Sequence, residues 1–179
     1  DHFRGFESYW EIPANAETAV KGHWRAGPGR ALFSALRTAL ETNPAGKTSA
    51  LRIIAEDLGI ITPEVNALRE SVGLPGMRIL QFAFDGHSDN LYLPHNFQSN
   101  TVVYTGTHDN DTTRGWWSNL PVHEQDYVRR YLGISGDSIE WDLIRAASAS
   151  VAALSIIPMQ DVLGLGTADR MNQPGLGEG

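Results

Sequence analysis

The order of apolar patterns along the chain constrains its fold more than any other feature. Short apolar runs, which are typical of buried strands, alternate with segments of helical spacing and with turns rich in Gly and Pro. This alternation predicts βα units around a parallel sheet and therefore an α/β fold. Residues 1–12 are predicted to contain the end of a strand that runs into a loop. Further strands are predicted at residues 51–58, 77–84, 101–104 and 155–159. A loop is predicted at residues 13–29, and helices at residues 29–40, 62–72, 112–132 (two short helices) and 139–154.

Chemically reactive side chains follow the predicted strands. They are Asp1, Glu56-Asp57, His108-Asp109 and Gln160-Asp161. The carboxyl ends of parallel strands meet at one edge of a sheet, which is where (β/α)₈ barrels and doubly wound sheets place their active sites. Periodicity does not separate these two architectures. Five predicted strands are too few to close an eight-stranded barrel.

The charge and composition of the chain narrow the classes of partner. The 179 residues include 14 basic and 21 acidic side chains, for a net charge of −7. Because a non-specific nucleic-acid binder needs a basic surface, neither nucleic acid nor an anionic membrane is an expected partner. The longest apolar run, at residues 151–159, is too short to span a bilayer. The absence of cysteine and of a signal-like start is compatible with the cytoplasm. The expected location is the cytoplasm, or the plastid stroma in a plant.

Three long segments carry a resemblance to a known family. They are DHFRGFESYWEIPA at 1–14, IIAEDLGIITPEVNALRESVGLPGM at 53–77 and VVYTGTHDNDTTRGWW at 102–117. Shorter matches are LQFAF at 80–84, PHN at 94–96 and QDVLGLGTADRMNQPG at 160–175. The chain resembles the 4-α-glucanotransferases of glycoside hydrolase family 77, also called amylomaltases or disproportionating enzymes, in the α-amylase superfamily. The resemblance implies transfer of α-1,4-glucan segments between maltooligosaccharides, or glucans derived from starch or glycogen.

The resemblance also implies an architecture and a limit on what this chain contains. Family members form a (β/α)₈ TIM barrel and are more than twice this long. We therefore expect residues 1–179 to be the C-terminal portion of a single catalytic barrel domain, roughly strands 4 to 8, with the N-terminal half upstream. Both ends look cut, since the chain begins inside a motif and stops within another. On its own, such a piece is expected to have negligible activity, because open sheet edges and an incomplete pocket would remain.

Three carboxylates match the catalytic positions of the family. Asp1 matches the nucleophile, Glu56 the general acid/base and Asp109 the carboxylate that stabilises the transition state. Retaining cleavage of a glycosidic bond needs two carboxyl groups in different protonation states, and no metal or organic cofactor is required. Without the motifs, each acid has a simpler interpretation: Asp1 as a turn residue, Glu56 as a solvated loop acid, and Asp109 as the cap of the following helix.

Three further residues are candidate sugar contacts. The resemblance places His108 beside the third carboxylate and Asn172 near the donor sugar, although Asn172 is almost as well explained as a turn residue. Trp116 follows the His108-Asp109 loop, where it either lines the sugar groove or packs in the core, the commoner role of an aromatic residue. Trp141 is expected to pack in the core or against another helix.

Other functions stay open at this stage. A hydrolase of the same superfamily would use the same carboxylates, and an inactive glucan-binding fragment would share the motifs. The His108-Asp109 pair with Asp111 is also compatible with a divalent-metal site. No pair of histidines four residues apart on a predicted helix supports a metal site, so none is expected.

Overall fold

The computed structural model describes residues 3–41 and 52–175. The chain divides into two compact units, Asp1–Met77 and Arg78–Gly179. The helices are α1 (Arg4–Glu7), α2 (Gly29–Glu41), α3 (Pro63–Ser71), α4 (Thr113–Asn119), α5 (Val122–Leu132), α6 (Ile139–Ser148) and α7 (Met159–Val162). The strands are β1 (Ser8–Glu11), β2 (His23–Ala26), β3 (Gly76–Ile79), β4 (Thr101–Tyr104) and β5 (Leu154–Ile156). In the second unit the strands β3 and β4 are followed by the helices α4 to α6, the strand β5 and the helix α7, so the unit mixes helices and strands.

The first unit begins with an antiparallel hairpin of β1 and β2. The loop predicted at residues 13–29 is therefore wrong in part, because β2 lies inside it. Its four residues are all exposed and have no apolar alternation, so cross-strand contacts stabilise it instead. Trp10 meets Trp24 edge to face with ring centroids 5.4 Å apart, and the Glu11 carboxylate lies 2.7 Å from Arg25 Nε. Such pairs are the main source of hairpin stability.

Helices α2 and α3 form where the sequence predicted them. The Thr62 hydroxyl caps α3 by accepting the Val65 N–H, and proline occupies the first helical turn, where its missing N–H costs nothing. Gly73 follows the helix with φ +72°, a conformation that favours glycine. The core of this unit contains Phe3, Phe33, Ala55, Val65, Val72 and Leu74. The predicted helix bounds are therefore confirmed to within a residue.

The strand predicted at residues 51–58 is wrong over its described part, since residues 52–58 form no strand. Its backbone hydrogen bonds include those from Ala55 N–H to Pro75 O (2.9 Å) and from Phe3 N–H to Glu56 O (2.8 Å). They connect it to two different parts of the chain, whereas a strand needs successive bonds to the same neighbour. Leu51 lies outside the described residues.

The second unit is organised around the sheet order β3-β4-β5, in which β4 and β5 are parallel. β4 has the predicted bounds, and residues 101–103 are buried. The strand predicted at 77–84 is shorter: β3 stops at Ile79 and a 3-10 turn covers Leu80–Phe82. A continuous apolar run does not distinguish a strand from a buried turn, which explains the error.

The described part of the second unit contains four helices, α4 to α7. Pro121 separates α4 from α5, as predicted. The helix predicted to reach residue 154 ends at Ser148, where the Ser150 hydroxyl donates to Ala147 O. The core includes Leu80, Phe84, Val103, Val128, Ile139, Leu143 and Ala147. The last strand is β5 rather than 155–159, because Pro158 precedes the helix α7.

The exposure of Trp141 contradicts one of its two predicted roles, packing in the core. Its side chain is 43% exposed. The buried face of α6 instead contains Ile139, Leu143 and Ala147, which are spaced four residues apart. The helical face that contains Trp141 also contains Arg145 and Ser148, and all three of these residues are exposed.

Candidate functional site

The predicted nucleophile, Asp1, lies outside the described residues. The first described residue is Phe3, whose side chain is 2% exposed. Its N–H donates to the carbonyl of Glu56 over 2.8 Å. The segment that begins at Phe3 is therefore bonded directly to the segment with the predicted acid/base.

Glu56 and Asp57 are adjacent acids in opposite environments. Glu56 is exposed, whereas Asp57 is buried. Asp57 Oδ1 accepts the Met77 N–H over 2.6 Å, and its Oδ2 lies 3.4 Å from Arg69 Nε in a buried charge contact. Arg69 also donates to Leu74 O over 3.1 Å. Asp57 is thus a structural residue, which leaves Glu56 as the solvent-accessible acid of the pair.

The predicted third carboxylate, Asp109, lies on the loop between β4 and α4. This loop is shaped by Asn110, whose Oδ1 accepts both the N–H (2.8 Å) and the hydroxyl (2.7 Å) of Thr107. His108 and Asp109 stand at the exposed tip, with His108 Nε2 3.4 Å from Asp109 Oδ1. The loop therefore presents an imidazole and a carboxylate side by side to solvent.

The segment after α7 contacts this loop at three points. Asn172 Nδ2 donates to Asp109 Oδ1 over 2.6 Å, which brings two predicted site residues together. Arg170 donates to the backbone carbonyl of Asp109 over 2.9 Å. The Thr167 hydroxyl donates to Asp111 Oδ2 over 2.9 Å. The carboxylate and the backbone of Asp109 are thus both held from the same side.

Sequence reasoning missed Arg170. Its guanidinium bonds the carbonyls of Asp109 and, over 3.2 Å, of Asn172. Its position two residues before Asn172 within the motif at 160–175 was the available signal. Arginine is suited to this role because its planar fork can serve two acceptors.

A small depression adjoins the loop in the second unit. Its polar wall includes Thr107, His108, Asn110, Asp111, Gln160 and Arg170, and Pro158 and Met171 add apolar surface. The carboxamide oxygen of Gln160 is buried without a hydrogen-bond partner. The surface therefore mixes donors, acceptors and apolar patches.

Trp116 lies away from this exposed tip. It is half-buried and packs on the core, with its ring centroid 6.0 Å from that of Phe84 and 6.2 Å from that of Trp117. His95 packs against an aromatic side chain: its Nδ1 lies 2.7 Å from Tyr131 Oη, and the two rings pack with centroids 5.7 Å apart. The structure thus brings together His108, Asp109 and Asn172, and places Trp116 in the hydrophobic layer behind them.

Within residues 3–41 and 52–175, no group of three or more His, Asp or Glu side chains is arranged to hold a metal ion. None of the described helices is long and apolar enough to cross a membrane.

Comparison with known proteins decides the family. The family model described as 4-alpha-glucanotransferase matches residues 1–179. The chain belongs to this 4-α-glucanotransferase family. Relatives of the same description include the chloroplastic/amyloplastic DPE1 of Arabidopsis thaliana, 53% identical over 97% of this chain and 29% of the relative's length. Another is the enzyme of Thermus thermophilus, 49% identical over 98% of this chain and 35% of the relative.

A solved structure of an amylomaltase is similar in fold over the matched part of its chain. The amylomaltase of Streptococcus agalactiae in complex with acarbose superposes with a TM-score of 0.82 at 38% identity, covering 97% of this chain and 34% of that protein. The fold is therefore α/β and similar to that of amylomaltase. The chain spans about a third of the length of the curated relatives it matches.

Proposed function

We propose that the protein containing this chain is a 4-α-glucanotransferase, which moves α-1,4-glucan segments between maltooligosaccharides or to glucose. The observation that supports this most is the family match along residues 1–179. Its substrates would be maltooligosaccharides and glucans derived from starch or glycogen. The acarbose bound to the Streptococcus agalactiae amylomaltase, with which this chain superposes, is consistent with that substrate class.

We further propose that residues 1–179 are the C-terminal portion of one catalytic (β/α)₈ barrel domain, roughly strands 4 to 8. The parallel pairing of β4 with β5 supports this, as does the position of Asp109 on the loop that follows the carboxyl end of β4. Barrels of this type place their catalytic groups on the loops that follow the strands.

The proposed reaction is a double displacement. The Asp1 carboxylate attacks the anomeric carbon, while Glu56 gives its proton to the departing glycosidic oxygen as that carbon–oxygen bond breaks. Glu56 then takes the proton of the acceptor hydroxyl, whose oxygen attacks the anomeric carbon and releases the Asp1 carboxylate. Two inversions at one carbon give net retention. The exposure of Glu56, next to the buried Asp57, supports its role as the group that exchanges protons with sugars.

The remaining candidates have roles around the sugar. Asp109 would stabilise the positive charge that develops on the ring, and its fixed hydrogen bonds from Asn172 and Arg170 support such a preorganised role. His108 and Asn172 would donate to sugar hydroxyls. Trp116 would contribute an aromatic surface to the groove, although it packs on Phe84 and is the least exposed of the candidates that the structure describes. No step needs a metal or organic cofactor.

Product analysis with maltotriose tests this function. The complete protein, expressed with the sequence that flanks this chain in its gene, should convert maltotriose to glucose plus oligomers longer than maltotriose. The variant Glu56→Gln is the control for contaminating activities and should form neither. Release of glucose and maltose alone, without longer products, would instead identify an α-glucan hydrolase and overturn the transfer proposal.

A further inference from the structure

A buried carboxylate that the proposed reaction does not use lies close to the candidate site. Asp161 on α7 is 1% exposed. Its Oδ1 accepts the backbone N–H of Thr113 over 2.8 Å, and its Oδ2 accepts the hydroxyls of Thr113 (2.8 Å) and Thr105 (2.5 Å). All three donors come from the segment around the β4–α4 loop.

The two threonines mark the two ends of that loop. Thr105 is the first residue after β4, and Thr113 is the first residue of α4. Asp109 lies four residues from each of them along the chain. A single carboxylate therefore joins the point where the loop leaves the sheet to the point where it enters the helix.

The topology of the sheet explains why Asp161 can reach both ends. Strands β4 and β5 are parallel neighbours, so their carboxyl ends lie at the same edge. The chain turns at Pro158 directly after β5 and forms α7, with the Asp161 N–H bonded to Pro158 O over 3.0 Å. This turn directs the carboxylate across to the end of the neighbouring strand.

The bonds to Asp161 are of a kind that fixes geometry. Hydrogen bonds to an ionised acceptor are stronger than neutral ones, and a buried site of low dielectric strengthens them further. Thr105 and Thr113 are each 0% exposed, so water does not compete for these donors. The separation of the loop ends is thereby held constant while the tip stays open to solvent.

We propose that Asp161 is a positioning residue for Asp109: by joining Thr105 to Thr113 it holds the β4–α4 loop in the geometry that catalysis needs. This inference rests on the proposed function, in which Asp109 stabilises the transition state. A displacement of about 1 Å at a reacting group can cost about 100-fold in rate, so a change at the loop ends should reach the reaction without any contact to the substrate.

The strand β4 itself provides a matched pair of variants to test this. Thr101 begins β4 and Thr105 directly follows it, and both residues are 0% exposed. The Thr105 hydroxyl donates a hydrogen bond to Asp161, and the Thr101 hydroxyl donates one to Gln98 O. Thr105→Val and Thr101→Val thus remove the same chemical group in similar surroundings. Only the first removes a bond to Asp161. Thr105→Ser keeps the hydroxyl and serves as the conservative rescue.

In the complete protein, Thr105→Val should lower kcat about tenfold with little change in KM, whereas Thr101→Val and Thr105→Ser should keep kcat within about twofold of wild type. A purely structural role predicts instead that both valine variants lose stability and that neither changes kcat of the folded protein. Equal kcat values for Thr105→Val and Thr101→Val would therefore overturn the inference.

Hydrogen exchange of the loop gives a readout that does not depend on activity. Amides of residues 106–112 should exchange faster in Thr105→Val than in Thr101→Val, and unchanged exchange would overturn the inference whatever the enzyme does. If the wild-type protein shows no glucan transfer, only the proposed function is refuted. The comparison of amide exchange between Thr105→Val and Thr101→Val still decides whether Asp161 fixes the loop.

Discussion

The side-chain amide of Asn172 donates a 2.6 Å hydrogen bond to the carboxylate of Asp109, 63 residues earlier in the chain. This contact makes Asn172 part of the same polar group as His108 and Asp109. It also connects two motifs that the sequence offered as separate segments. The first prediction follows from the distance between these two side chains.

Replacing Asn172 with aspartate should impair catalysis through charge. The variant Asn172→Asp sets two carboxylates at hydrogen-bond distance, where like charges repel and one group retains a proton at higher pH than an isolated carboxylate would. We expect kcat/KM to fall about 10- to 100-fold near neutral pH, with the acid limb of its pH profile moved to higher pH. Asn172→Ala removes the bond without adding charge and should leave that limb in place. An unshifted limb in Asn172→Asp would contradict this prediction.

Neutralising Glu56 should lower the catalytic rate, whereas neutralising Asp57 should lower the stability of the protein. Glu56→Gln should lower kcat about 100- to 10,000-fold, the usual contribution of a general acid/base, and leave the free energy of unfolding within about 0.5 kcal/mol of wild type. Asp57→Asn breaks a buried pair with Arg69 and should destabilise the protein by about 3 kcal/mol. Denaturant unfolding and initial rates measure the two effects. A stable Asp57→Asn variant would show that the buried pair contributes little.

The close packing of α4 against the segment after α7 predicts a strict size limit at Gly115. A methyl group at this position would overlap the Thr167 hydroxyl and the Asp111 carboxylate, which are bonded to one another. We expect Gly115→Ala to destabilise the protein by about 1–3 kcal/mol and to lower kcat/KM.

The matched control for Gly115 is Gly166, where an added methyl group would meet no atom within 4 Å. Gly166→Ala should therefore be close to neutral in both urea unfolding and kcat/KM. Similar losses in the two variants would mean that close packing at Gly115 is not the cause.

The hairpin should depend on pH through Glu11. The pKa of Glu11 is lowered from 4.5, chiefly by the hydrogen bond from Arg25 and also by the charges of Arg25 and His23. Because the folded pKa lies below the unfolded one, this stabilising contribution is present above pH 4.5 and is lost as the pH falls through the lowered value.

Comparison with Arg25→Gln measures this contribution. Hairpin amides of the variant should exchange faster than those of wild type near neutral pH, and the difference should disappear well below pH 4.5. A difference that persists in acid would assign it to the packing of the Arg25 stem instead.

Features encoded locally could be predicted from the sequence. The start of α3 was recognised from Thr62 and Pro63, because a capping hydroxyl and a proline at the first turn act within a few residues. The break between α4 and α5 follows in the same way from Pro121. Strand β4 was recognised from its short apolar run, and residues 101–103 are indeed buried.

Features that depend on distant partners could not be predicted. The exposed strand β2 forms because Trp24 and Arg25 meet Trp10 and Glu11 across the hairpin, which no periodicity reveals. The segment 52–58 has a strand-like composition but no continuous neighbour in the described chain. For the site, motif matching found Asp109 and Asn172 separately, whereas their contact and the part played by Arg170 needed the fold.

The alternation around Glu56 has a consequence for how this part of the chain can change. Ala55 and Asp57 are buried on either side of the exposed Glu56. Inserting one residue just before them would move Glu56 to the buried place of Asp57 and Asp57 to the half-buried place of Leu58. Deleting one would move Glu56 to the buried place of Ala55 and leave the shorter Asp57 in the exposed place. Both carboxylates would remain in the sequence after such a shift, but neither would lie in its present surroundings. The length of this segment is therefore as strictly determined as its chemistry, and natural variants should differ here by substitution rather than by insertion or deletion.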